Sequence, residues 1–473
     1  MKRIPIQTAG AVMEACLLLA GCANKRMQYH APAAPQLAQA GAWNTTPAGG
    51  AKASPADDKT LASWWSTLGD PTLTALEERA VEGNLDLRQA EMKIRQVRAE
   101  REGARADLYP TVTASGSATG SRSSTRYGDG ALGQSYSAGV SASWEPDFFN
   151  RIRGTVAAYT ADVEAAQEDL RNVLVSLTAE VALNYVEVRS YQSQLAITRA
   201  NLAAQEETYR LTVAKHESGL ATELDVQQAA LSVESTRASI PTLETGLQKA
   251  SNAISVLVGE RPGAVDAVLA EVKPVPVIPA EVAVGLPADL VRRRPDIRSA
   301  ERQVAAQSAR AGVAAANLYP SFALSGLLSF SSIDIVNLFT PATLAGSLAG
   351  SVQQTIVNRR RLRAQLNIQD VLLEQYETAY EGTVLGAVQD VEDALKAFAN
   401  EQIRRKSLAD AAVAAERAAT LSRDLYSSGL KDFLAVLDAQ RSLLSLQNQL
   451  AQSDATITAN LVRLYKALGG GWS

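Results

Sequence analysis

Hydrophobic and polar residues follow two different periods along this chain, and the switch between them occurs once in each half. Val112, Ala114, Gly116 and Ala118 alternate with Thr113, Ser115 and Ser117, and Tyr136, Ala138, Val140, Ala142 and Trp144 alternate with Ser137, Gly139, Ser141 and Ser143. A period of two predicts strands, and the Ser- and Gly-rich stretch from Ser121 to Gly133 predicts the turn of a hairpin. The plan recurs at Phe322, Leu324, Gly326, Leu328 and Phe330, followed by Leu344, Gly346, Leu348, Gly350 and Val352. Each run is about ten residues, the length of a tilted strand that crosses a bilayer. After the first hairpin the spacing becomes seven, at Leu174, Val181, Val188, Leu195, Leu202 and Tyr209; Val384, Val391 and Phe398 repeat it after the second. That is a coiled-coil seam. Nothing breaks helix from about Gly154 to His216, so a rod of roughly 60 residues and about 90 Å is expected.

The two halves are copies of one unit. Asp86-Leu87-Arg88-Gln89-Ala90-Glu91 matches Asp296-Ile297-Arg298-Ser299-Ala300-Glu301, Leu108-Tyr109-Pro110 matches Leu318-Tyr319-Pro320, and Ser218-Gly219-Leu220 matches Ser428-Gly429-Leu430, all at an offset of 210. Asn150-Arg151 and Asn358-Arg359 match at an offset of 208. A Pro-rich connector from Arg261 to Pro295 separates the copies.

A spanning sheet must close, because an open edge in hydrocarbon leaves backbone groups unpaired. Bacterial barrels start at about eight strands. Four strands per chain therefore compel oligomerisation if the hairpins span a membrane: two copies give eight strands, three give twelve. A small soluble sheet is the alternative reading of the same alternation.

Composition removes several function classes. Lys and Arg number 46 against 50 Asp and Glu, so there is no basic footprint for nucleic acid. His30 and His216 are the only histidines, which disfavours a His-based metal site or catalytic triad. No cofactor is expected. Outside the N-terminus no apolar run is long enough for a spanning helix.

The N-terminus carries an address. Lys2 and Arg3 precede a mostly apolar stretch, interrupted by Pro5 and Glu14, that ends Leu19-Ala20-Gly21-Cys22. This resembles a secretory signal with a bacterial lipobox, which would make Cys22 the lipidated first residue of the mature chain and remove Cys16. By the same resemblance Ala23, standing where lipoproteins held at the inner membrane carry an Asp, implies the outer membrane. The Ala-, Pro-, Gly- and Thr-rich segment to about Asp57 is expected to be an extended tether without a core.

Several motifs, in order on this duplicated body, resemble the TolC-like outer-membrane efflux proteins, in the lipoprotein branch that serves resistance-nodulation-division pumps. They are Trp64-Trp65 with Leu68-Gly69-Asp70-Pro71, Leu257-Val258-Gly259-Glu260-Arg261-Pro262-Gly263, Gly285-Leu286-Pro287-Ala288-Asp289-Leu290 with Arg293-Arg294-Pro295-Asp296-Ile297, Leu437-Asp438-Ala439-Gln440-Arg441, and Leu464 to Trp472. The resemblance implies a mainly α fold with β: a homotrimer with a helical tunnel through the periplasm, a twelve-stranded barrel in the outer membrane and a mixed equatorial domain. The chain then divides into a signal at 1–21, anchor and tether at 22–71, a first repeat at 72–260 with its hairpin at 110–146, a connector at 261–295, a second repeat at 296–467 with its hairpin at 320–357, and a tail at 468–473.

The implied function is a passive exit duct for small molecules such as drugs, without enzymatic chemistry, fed by an inner-membrane pump, proton-driven in this branch, through a periplasmic adaptor. An exit duct for type I polypeptide secretion shares the architecture, and a periplasmic adaptor or structural coiled-coil lipoprotein would share the helices but not the paired hairpins. By resemblance the turns with Gly219, Leu220, Thr222, Gly429 and Leu430 form the tip that docks the adaptor. Leu434, Asp438 and Arg441 match the constriction, with Leu224 and Gln228 as the first-repeat counterparts of Leu434 and Asp438. Three copies of Leu434 would occlude the tip, and three of Asp438 would form an acidic ring favouring cations over anions. Phe433 stands where a Tyr is commoner in the family, so a hydroxyl latch is expected to be missing. The basic runs Arg292–Arg294 and Arg359–Arg361 with Arg363 read as solvated faces, the second also as a candidate for lipid headgroups.

Overall fold

The computed structural model describes residues 29, 31–32, 42–54, 57–122, 124, 126 and 132–472. Cys22 and the signal lie outside them. In chain order the elements are β1 (Ala51–Lys52), α1 (Asp58–Ala62), a 3-10 turn (Trp64–Leu68), α2 (Pro71–Gly83), α3 (Leu85–Ala106), β2 (Thr111–Arg122), β3 (Leu132–Trp144), α4 (Arg151–Glu217) and α5 (Glu223–Leu257). There follow α6 (Asp266–Leu269), β4 (Val282–Ala283), α7 (Pro287–Arg293), α8 (Pro295–Ala316), β5 (Ser321–Ser332), β6 (Leu344–Gln353), α9 (Arg359–Ser427) and α10 (Phe433–Ala467). The duplication is visible element by element. The long helices α4 and α9 have 67 and 69 residues, and α5 and α10 have 35 each.

The chain divides into two compact units. The first comprises residues 1–33, 92–167 and 299–381 and contains one antiparallel sheet in the order β2-β3-β5-β6. The two hairpins thus join through β3 and β5, and β2 and β6 are left as open edges among the described residues. Their register pairs Ala114 with Val140, Val140 with Leu328, and Leu328 with Gly346. Even-numbered residues of all four strands therefore share one face. That face is apolar yet exposed at Val112, Val140, Leu324, Leu328, Leu348 and Val352, while the odd face is rich in Ser, with Ser117 and Ser137 hydroxyls 2.8 Å apart. An exposed apolar face continuous over four strands suits lipid, not water. The strands run two residues further into the predicted Ser121–Gly133 turn than alternation indicated, because cross-strand bonding continues through Arg122 and Leu132.

The second unit comprises residues 34–91, 168–298 and 382–473. Its core contains the predicted seam residues Val181, Val188, Leu195, Val384, Val391 and Phe398. Two expectations fail. The Ala- and Pro-rich segment is not an extended tether throughout: Trp43 is buried and donates through Nε1 to Gly285 O at 3.0 Å, the Asn44 and Thr45 amides donate to the Glu392 carboxylate at 2.6 and 2.8 Å, and β1 pairs in parallel with β4. In the first unit Tyr29 likewise packs on Ala161, Ala305 and Ala306 and donates to Glu301. Composition missed this because a few anchors suffice when the backbone bonds to a preformed surface. The seam also departs from its predicted heptads. Beyond Leu195, Leu202 and Tyr209 are only partly buried, and the buried positions of α4 become Thr198, Asn201, Gln205, Thr208 and Thr212.

The motifs of the two chain ends meet. Trp64 stacks on Tyr465 with ring centroids 5.4 Å apart, Gly471 N–H bonds to Leu61 O at 2.8 Å, and the Trp472 ring lies under Arg171 and Arg298 at 4.8 and 5.5 Å. Asp70 caps α2 by accepting from the Thr72 and Leu73 amides and accepts from the Tyr185 hydroxyl at 2.5 Å. Burial and that carboxylate push the Tyr185 hydroxyl up to about 12. Arg189, wholly buried, donates to Tyr185, Gln192 and the Glu271 carbonyl.

Candidate channel tip and constriction

The two long helices end in the same way. Gly219 and Gly429 have φ of 71° and 77°, a conformation that costs glycine least. Around each, paired bonds close the helix: Gly219 N–H to His216 O at 2.9 Å with Leu220 N–H to Lys215 O at 2.8 Å, and Gly429 N–H to Tyr426 O at 3.1 Å with Leu430 N–H to Leu425 O at 2.8 Å. This is the Schellman arrangement, which satisfies carbonyls that a helix end would otherwise leave open. Leu220 and Leu430 consequently project outward, both strongly exposed. The following helices restart at once. Thr222 and Asp225 form a reciprocal capping box on α5, and Asp432 caps α10 through the Ala435 amide. Thr222 is thus an N-cap whatever else it touches. His216 closes the first turn through Nδ1 at 3.0 Å from Ala221 O, with Nε2 3.3 Å from Glu223.

Beneath the turns lies an aromatic cluster. Tyr426, Phe433, Val436, Leu437 and Ala229 form a buried group with Tyr209 and Leu211 against it. Tyr426 and Phe433 meet edge to face at 5.7 Å, and the Tyr426 hydroxyl donates to Thr212 Oγ1 at 3.3 Å. Phe433 therefore faces the interior of this cluster, and it is the Tyr426 hydroxyl that bonds across to α4. Further along, a ladder of polar side chains links α4 and α10: Gln440 to Thr208 at 2.9 Å, Asn201 to Gln447 at 2.8 Å and Gln452 to Gln194 at 3.0 Å. Thr198 Oγ1, Gln205 Oε1 and Asn448 Oδ1 are buried without a hydrogen-bond partner. Sequence reading overlooked this ladder because Gln, Asn and Thr at every third and fourth position do not register in a search for apolar periods.

The structure separates the candidate constriction residues from that core. On α10 the buried stripe is Phe433, Val436, Leu437 and Gln440, whereas Leu434, Asp438 and Arg441 share the exposed side, Leu434 being 49% exposed. Among the described residues neither Asp438 nor Arg441 makes an ion pair within the chain. On α5, Leu224 is 64% exposed, and Gln228 is partly buried with Oε1 lacking a hydrogen-bond partner. These side chains have unused hydrogen-bonding and apolar capacity on the outside of one chain.

The basic runs divide. Arg294 is mostly buried and forked onto Asp296 at 2.7 and 3.1 Å, with further bonds to Asp390 at 3.0 Å and Ala467 O at 3.1 Å; it ties the connector to α9 and α10 and is not a solvated charge. Arg359, Arg360, Arg361 and Arg363 are exposed. Among the described residues no group of His, Cys, Asp and Glu could hold a metal ion, and no helix is long and apolar enough to cross a membrane.

Comparison with known proteins agrees with the internal repeat. The family model described as outer membrane efflux protein matches residues 76–260 and again 286–470. The chain is 31% identical over 471 residues to the solvent efflux pump outer membrane protein SrpC of Pseudomonas putida, covering 98% of each. It is 32% identical over 421 residues to nodulation protein T of Rhizobium leguminosarum bv. trifolii, covering 88% of this chain and 89% of that one. Among solved structures, the outer-membrane channel OprN superposes with a TM-score of 0.86 at 33% identity, covering 94% of this chain and 98% of that one.

Proposed function

Because the chain belongs to the outer membrane efflux protein family, we propose that it is the exit duct of a tripartite efflux system, a homotrimer that conducts small molecules from an inner-membrane pump and a periplasmic adaptor to the exterior. The observation that carries this reading is the four-stranded sheet with one continuous apolar face, one serine-rich face and, among the described residues, two open edges. Such a sheet is lipid-facing outside and water-facing inside only after its edges pair with those of other copies. Three chains supply twelve strands. The duct performs no covalent chemistry; transport energy comes from the pump.

The turns at Gly219, Leu220, Thr222, Gly429 and Leu430 meet the adaptor, since they present two outward leucines on rigid caps. Leu434, Asp438 and Arg441, with Leu224 and Gln228, line the constriction and make contacts between chains in the resting state. Lipidation of Cys22 adds an anchor. The docked Tyr29 follows it by seven positions, a span of up to about 25 Å, so the lipid reaches a nearby bilayer without unfolding the body.

The test is oligomeric mass in detergent together with single-channel recording. The expected result is three chains per particle, and a higher conductance or admission of bulky antibiotics when Asp438 and Arg441 are both replaced by Ala. Monodisperse monomers that stay soluble without detergent overturn the duct; an assembled double variant with unchanged conductance and leakage overturns the constriction.

A further inference from the structure

The duplication provides an internal comparison where each hairpin returns to its long helix. Residues 143–155 and 351–363 align one to one, and each places an Asn in the left-handed conformation just before the helix, Asn150 at φ 59° and Asn358 at φ 67°. Their charges diverge. In the first repeat Arg151 donates to both Glu145 oxygens at 3.0 and 2.7 Å, and Asp147 accepts the Arg153 amide at 2.8 Å. Two acids offset two bases. In the second repeat Gln353 and Thr355 stand in place of those acids, and Arg360 and Arg363 in place of Ile152 and Thr155.

Four arginines thus open α9 with no acidic residue in its first turn. Arg359 donates to Leu318 O at 3.2 Å; among the described residues Arg360, Arg361 and Arg363 have no ion-pair partner in the chain. Cations at the positive end of a helix are destabilising, so the chain by itself gains nothing from this arrangement.

The apolar neighbours diverge in the same sense. Phe149 is 8% exposed and stacks on Tyr319 at 4.9 Å, whereas its counterpart Val357 is 84% exposed; one position earlier Phe148 is 55% exposed with its ring against Phe322, and its counterpart Ile356 is 81% exposed. Ile356 and Val357 lie just past the end of β6, whose apolar face carries Leu348 and Val352. Exposed aliphatic residues beside uncompensated guanidinium groups, at the end of a membrane strand, are the elements of an interfacial lipid anchor.

We propose that the corner from Ile356 to Arg363 docks an anionic phospholipid of the periplasm-facing leaflet, with its phosphate held by the arginines and its acyl chains against Ile356 and Val357. Planar guanidinium groups match phosphate oxygens in pairs, which suits the headgroup better than a row of lysines would. The inference rests on placing the strands in the outer membrane, and the first repeat, with its charges balanced, lacks the site.

The test is native mass spectrometry of the full-length protein equilibrated in detergent with equal amounts of phosphatidylglycerol and phosphatidylethanolamine. The protein is expected to retain phosphatidylglycerol preferentially, the preference falling about fivefold for each arginine lost in stepwise construction of R360Q/R361Q/R363Q. Q353E/T355D, which rebuilds the first repeat's acids, lowers the preference with every arginine in place. Millimolar inorganic phosphate leaves it unchanged. Equal retention of both lipids, a triple variant that keeps the full preference, or displacement by inorganic phosphate overturns the proposal. So does separation of the triple variant into monomers at unaltered lipid occupancy, which assigns the arginines to a neighbouring copy. Conductance of the same preparations reports on the duct separately, so conducting channels without lipid preference reject only the lipid site.

Discussion

The Lys215 ammonium lies 4.3 Å from the centroid of the Tyr426 ring and donates to the carbonyls of Tyr426 and Ser427. One side chain thereby joins the ends of α4 and α9, complementing the negative pole of the second helix while its charge sits over an aromatic face. Lys215→Met keeps most of the stem and removes both interactions. The expected cost is about 1 kcal/mol, confined to the tip. Hydrogen exchange should report faster opening of residues 424–430 with the equatorial helices unchanged.

The Gln440–Thr208 bond lies within the buried polar ladder, so its two partners are coupled. Gln440→Leu removes the bond while Thr208 Oγ1 still donates to Ala204 O, so it should destabilise by about 1 kcal/mol, and Thr208→Val should cost less in the Gln440→Leu background than alone. A double-mutant cycle on the melting temperature measures this; a coupling of zero would mean the bond does not form in solution.

Gly83 and Gly259 bring two backbones together. A β-carbon on Gly83 would lie 2.3 Å from Val258 O, and one on Gly259, at φ 76°, 2.0 Å from Gly83 O. Neither atom is the mobile end of a side chain. Alanine at either position should cost at least about 2 kcal/mol, with Gly259→Ala the worse because it adds a strained φ to the overlap. Thermal denaturation of the assembled protein is the measurement.

Glu77 is fully buried on α2 beside Leu73, Leu76 and Ala80, and neither oxygen has a hydrogen-bond partner. Desolvation holds its carboxyl well above the usual range. The folded state therefore keeps a proton that the unfolded chain releases near pH 4.5, so this group's contribution is intact below that pH and is lost as pH rises towards the folded value. Glu77→Gln, neutral at every pH, should melt at a higher temperature than the parent at pH 8, with the difference shrinking towards pH 4.

Much of this protein was written locally. The alternation from Val112 to Trp144 and from Phe322 to Val352 specifies strands because side chains in a pleated chain point alternately to two sides. The Ser-Gly-Leu turns specify helix ends because glycine adopts their φ at least cost. Repeats 210 residues apart announced the duplication without any coordinates.

Relationships between distant residues were settled only in three dimensions. Periodicity gave two hairpins, but the joining of β3 to β5, and with it a single apolar face across four strands, depends on register between segments nearly 190 residues apart. The docking of Trp43 and Tyr29, the burial of Arg294 and the polar ladder from Gln194 to Thr212 were likewise invisible, because a polar side chain's fate depends on which partner the fold delivers to it. Sequence fixes what each segment can become through its own sterics and period. Which polar groups are desolvated, and which are left seeking partners outside the chain, is decided when the segments pack.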